Sequence, residues 1–139
     1  MRQAIHEWAI ETDGVGVHEI TRHAVSWVQN AGIQQGLLTL QVQHTSASLM
    51  VQENADPEVM RDFERFWQRL VPWGDPLFRH DAEGPDDMPA HIRSALTQTT
   101  LSSPVRDGRP TLGTWQGIFL CEHRQQAHRR RVSGHLIGE

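Results

Sequence analysis

Nine histidines occur among 139 residues, and four of them stand beside groups that chemistry can use. His44 ends an apolar stretch and opens the run His44-Thr45-Ser46-Ala47-Ser48, whose small hydroxyl side chains can approach and hydrogen-bond an anionic ligand. His80 begins His80-Asp81-Ala82-Glu83-Gly84 in an irregular segment, His91 lies on the helix expected after it, and His123 closes a stretch that starts at Gly113. Neutral imidazole suits zinc and other borderline metals, and catalytic sites often pair three protein ligands with an open position. His44, His80 and His91 are therefore candidate metal ligands, with Glu83 as a general base, against acid/base roles or a buried hydrogen-bonded cluster. No His-Glu-x-x-His pattern is present, so the three can meet only through the fold.

Oxygen donors offer a second metal chemistry. Glu53, Asn54, Asp56, Asp86 and Asp87 could hold Mg²⁺ together with a substrate diphosphate, because Mg²⁺ prefers oxygen and keeps waters. Helix capping and solvated loop charge are the plainer roles for these groups. Arg124 and the run Arg129-Arg130-Arg131 form a basic cluster in an otherwise acidic chain. Guanidinium forks match phosphate oxygens, so the cluster reads as a clamp for a small phosphorylated molecule or as a solvated strand edge. Trp115, between Gly113 and Gly117, has room to stack on a planar ring, or it anchors a neighbouring subunit.

Short elements must position these groups. Residues 3–11 alternate as a strand, and Thr21 is the expected N-cap of a helix running to Ala31, with Gly32 just beyond it. Residues 36–53 are rich in strand formers, with Leu38, Leu40, Val42 and His44 on one face. Asp56 and Pro57 announce a helix whose stripe Val59, Phe63, Phe66, Trp67 and Leu70 predicts core packing. A long irregular segment from Val71 to Asp87 precedes a short helix over 89–96, and Asp107-Gly108 marks a hairpin turn between strands at 99–106 and 112–123. A last strand covers about 130–137. This order predicts an α+β class: a single-domain sandwich of mostly antiparallel strands with two to three helices.

Composition narrows the setting. At 37% hydrophobic and 22% charged, the chain has the balance of a globular domain over residues 1–139, not of a disordered one. The net charge of −4 argues against general affinity for nucleic acid. No stretch reaches the length needed to span a bilayer and no leader-like start is visible, so a cytoplasmic protein without membrane contact is expected. Cys121 stands alone, which excludes an internal disulfide.

Five ordered blocks carry a resemblance to a known family: His44-Thr45-Ser46-Ala47-Ser48-Leu49, Glu53-Asn54-Ala55-Asp56-Pro57, His80 to Gly84, Asp87-Met88-Pro89-Ala90-His91-Ile92, and Leu112-Gly113-Thr114-Trp115-Gln116-Gly117-Ile118. Together they resemble the signature blocks of the YjbQ/UPF0047 family. The resemblance implies a homotrimer with a pocket near the subunit interface and a secondary thiamine-phosphate synthase activity. That reaction joins a hydroxymethylpyrimidine diphosphate to a thiazole phosphate and releases diphosphate. It would draw on His44, His80, Glu83 and His91 for chemistry, on Thr45, Ser46, Glu53, Asn54, Trp115, Gln116, His123 and Arg124 for substrate, and on Mg²⁺ or Zn²⁺ as cofactor. The family pattern reads Glu-Phe-Asp-Gly-Pro-Arg where this chain has Glu122-His123-Arg124-Gln125-Gln126, a departure that bears on His123 and Arg124. Two other functions fit the same residues: a metal-dependent hydrolase of a small phosphorylated or acyl compound, and a non-enzymatic trimer that binds an anion or a metal.

Overall fold

The computed structural model describes residues 1–139. Eight strands and three helices follow in the order β1 (Arg2–Glu11), β2 (Gly16–Glu19), α1 (Thr21–Ala31), β3 (Gln35–Val42), β4 (Ala47–Glu53), α2 (Pro57–Leu70), α3 (Asp87–Leu96), β5 (Thr100–Arg106), β6 (Arg109–Pro110), β7 (Gln116–Glu122) and β8 (Arg129–Gly138). All strand pairs are antiparallel. They form a five-stranded sheet, β1-β8-β3-β5-β6, and a three-stranded sheet, β2-β7-β4. This is the expected α+β class.

Strict alternation along β3 buries Leu38, Leu40 and Val42, which join Val132 and Leu136 of β8 in the core. Ala47 and Leu49 of β4 and Ile118 and Leu120 of β7 come from the small sheet, and Ala24 and Val28 from α1. One continuous apolar cluster thus joins both sheets to the first helix. Gly32 ends α1 in the left-handed conformation at φ 71°, and the turn at Asp107 and Gly108 has positive φ at both positions, as a tight hairpin requires.

The sequence expectations need five corrections. Residues 36–53 split at 43–46 into two strands that belong to different sheets. The corner is held where Gln43 N donates to Arg131 O and Arg131 N donates to His44 Nε2. Thr21 is the first helical residue and not the N-cap; its hydroxyl donates to Glu19 Oε2 and accepts from Ile118 N. Asp56 caps α2 as expected, accepting from Glu58 N, but no residue of that helix is buried: Phe66 and Leu70 are exposed, and Val59, Phe63 and Trp67 are half-buried. Its apolar stripe lies over the outer face of the small sheet and not in the core. Helix α3 begins at Asp87, two residues ahead of the expected Pro89, and Trp115 sits in the loop before β7 and not in the strand.

Candidate histidine and carboxylate centre

Asp87 opens α3 and His91 lies one turn later, so the i, i+4 spacing puts both on one helix face. The long loop returns His80 to the same point. Ligand atoms of His80, Asp87 and His91 all lie within 4.8 Å of one another. His80 Nε2 is 2.6 Å and His91 Nε2 is 3.3 Å from the same oxygen, Asp87 Oδ2, and the two rings stand 5.3 Å apart. His80 is half-exposed, whereas Asp87 is only 1% exposed.

Arg124 accounts for a buried carboxylate here. Its Nη1 donates to Asp87 Oδ1 at 2.9 Å, its Nε to Asp86 Oδ2 at 2.8 Å and its Nη2 to Glu83 O at 2.9 Å. Burial alone would raise the Asp87 pKa, but the bond to His80 and the cationic charge of His91 and Arg124 outweigh it and hold the carboxyl below its usual range. Arg124 therefore locks the long loop to the start of α3. It pairs with Asp86 and Asp87 of its own chain, each of its three nitrogens making one hydrogen bond.

The protonation of His91 follows from its partners. Nδ1 lies 2.9 Å from the Thr45 carbonyl oxygen, which can only accept, so Nδ1 carries the hydrogen. In the neutral ring Nε2 then turns a lone pair toward Asp87 Oδ2. Two electron-rich atoms in that relation call for a cation between them, either a proton or a metal ion. A ligating histidine commonly gives its other N–H to a backbone carbonyl in this way.

The remaining candidates disperse. His44 stands outside the centre: its Nε2 accepts from Arg131 N, and burial, followed by Arg130, lowers its pKa. It shares only an open depression with Thr45 and His91. Ser46 is buried and its hydroxyl accepts from Arg130 Nη2. Arg130 is itself buried against Glu122, while Arg129 is exposed and 3.6 Å from Glu11. His123 is buried, with Nε2 2.8 Å from Ser48 Oγ, and burial lowers its pKa to about 4. Glu53 ends β4 and Asn54 follows it, where Glu53 pairs with Gln116 and Asn54 N donates to Trp115 O. At roughly 3.3 Å per strand residue that end is about 20 Å from the start of β4, beside Ser46. Within one chain, Glu53, Asn54, Asp56, Trp115 and Gln116 do not meet the histidines. The ligand-type residue absent from the expected histidine set is Asp87, and its four-residue spacing to His91 was the signal for it.

An α+β domain of two antiparallel sheets, gathering two imidazoles and a buried carboxylate at the start of a helix, is the class these observations define. A family model described as UPF0047 protein YjbQ-like matches residues 6–139, and the chain belongs to the YjbQ/UPF0047 family. It is 52% identical to the UPF0047 protein sll1880 of Synechocystis sp. over 94% of this chain and 88% of that one. Against the UPF0047 protein YjbQ of Escherichia coli O157:H7 the identity is 46%, over 89% and 90% of the two chains. The crystal structure of hypothetical protein APE1520 from Aeropyrum pernix superposes with a TM-score of 0.89 at 28% identity, covering 98% of this chain and 99% of that one. A YjbQ/UPF0047 family protein of Clostridium acetobutylicum gives 0.86 at 30% identity, over 95% and 99%. No helix of this chain is long and apolar enough to cross a membrane.

Proposed function

We propose that the chain is a metal-dependent enzyme for a small phosphorylated molecule, with a divalent ion held by His80, Asp87 and His91. The observation that supports this most is the Thr45 carbonyl oxygen, which fixes the His91 tautomer so that Nε2 faces Asp87 as an acceptor. Two imidazoles and one carboxylate leave coordination positions open for a substrate oxygen or a water, and imidazole favours Zn²⁺ or a similar ion over Mg²⁺. Such an ion would neutralise the charge that gathers on a departing phosphate oxygen.

The reaction proposed for this centre is the one the family resemblance implies, joining hydroxymethylpyrimidine diphosphate to a thiazole phosphate with loss of diphosphate. Hydrolysis is the second reading, favoured by Glu83, which Arg124 ties to the centre through its backbone carbonyl and whose ionised carboxylate would take a proton from bound water. Elemental analysis after loading with Zn²⁺, Mn²⁺ or Mg²⁺ tests the centre: about one ion per chain is expected, and none retained after desalting would sink the metal reading. Diphosphate release that requires the thiazole phosphate identifies the transferase; release without it identifies the hydrolase.

A further inference from the structure

Helix α2 turns Met60, Phe63 and Trp67 toward the outer face of the small sheet without burying any of them fully. Between helix and sheet lies a cavity of about 220 Å³, walled also by Val17, Met50 and Cys121. An apolar cavity of about 150 Å³ takes up benzene, so this one has room for two fused rings. Phe63 and Trp67 are one turn apart on the same helix, and the Met50 and Met60 thioethers are soft partners for aromatic faces.

The polar groups of the wall narrow the ligand further. Arg61 is paired with Glu58, and Glu64 with Arg93, so neither offers an unpaired charge. His123, a residue of the wall, is 3% exposed; its ring engages Ser48 through Nε2, and Nδ1 makes no hydrogen bond. A ring nitrogen without a partner at an apolar wall can anchor the polar edge of a ligand and fix its orientation. An alkyl chain would fill the space and leave that nitrogen bare.

We propose that this cavity binds a flat, uncharged aromatic molecule of one or two rings whose polar edge meets Nδ1 of His123. The site shares no residue with the His80, Asp87 and His91 centre and needs no metal. With burial holding His123 neutral well above pH 4, the nitrogen is available for a neutral hydrogen bond throughout the physiological range.

Indole is the probe, titrated into the full chain in the presence of EDTA. Saturable binding is expected, with a raised melting temperature and with backbone amide shifts at Met50, Phe63 and Trp67. Met50→Trp fills the cavity, and His123→Phe keeps the ring but removes the nitrogen; each should weaken indole about tenfold or more. If neither variant folds, the wild-type shift map decides. Amide shifts confined to other surfaces, no saturation up to about 10 mM, or undiminished binding by a folded variant would overturn the proposal. Octanoate binding more tightly than indole at the same amides would overturn it too, in favour of an acyl site.

Discussion

Asp87 carries a charge that three neighbours share, and removing it leaves each of them without its counterpart. Asp87→Asn is expected to weaken Zn²⁺ binding by about 100-fold or more and to lower stability by about 1–3 kcal/mol, because half-buried Arg124 loses an ionised acceptor. His80→Ala and His91→Ala should also lose the ion, while His44→Ala should retain it, since Nε2 of His44 is already spent on Arg131. Calorimetric titration with Zn²⁺ and chemical denaturation separate the two effects. His123 gives a prediction of another kind. Its folded pKa of about 4 lies below the ordinary 6.5, so between those values the unfolded chain binds the proton and the folded chain does not. Stability should therefore fall as pH drops from about 6.5 toward 4, by up to about 3 kcal/mol from this residue, and His123→Gln should flatten that part of the curve in urea denaturation. Much of the site was legible in the histidines and in the Asp87 to His91 spacing. What fixes the His91 tautomer was not, because the group responsible is a backbone carbonyl, and carbonyls carry no mark in a sequence.

Strands were easier to read than the corners between them. Alternation picked out Leu38, Leu40 and Val42 as buried, but the same β-rich run continues through Ser48, and nothing in its pattern tells where it leaves one sheet for the other. The corner is set instead by long-range pairs. Glu122 accepts from Thr12 Oγ1, from Arg130 Nε and Nη2 and from Arg124 N, and Arg130 in turn holds Ser46. Burial works against the Glu122 charge, yet these bonds outweigh it and keep its pKa below the ordinary value. Glu122→Leu would strand the Arg130 guanidinium in the interior, and a loss of about 3–5 kcal/mol in chemical denaturation is the expected outcome. Helix α2 was misread for a related reason. Its stripe has the period of a core helix, and periodicity reports that a face is apolar without saying whether packing or a cavity lies beneath it.

At the scale of the molecule, the two sets of candidate residues lie at opposite ends of β4, and large apolar side chains remain on the surface, Leu77 at 78% and Trp115 at 64% exposure among them. We expect the homotrimer that the family resemblance implies, with a scattering mass near three times the 15.8 kDa chain. A Trp115→Ser variant running as a 15.8 kDa species would place that side chain in the contact; a monomeric wild type at micromolar concentration would remove the expectation. The sheet order has a further consequence for how the chain comes into being. Strand β8 lies between β1 and β3, so the first strand made has no partner in its sheet except the last. On the ribosome, at about 5–20 residues per second, β1 would wait roughly ten seconds with its pairing edge bare. The β3, β5 and β6 strands can meet earlier, and so can β2, β4 and β7. Nascent chains stalled before Arg129 should then be strong clients for chaperones, and release from them should coincide with the emergence of β8.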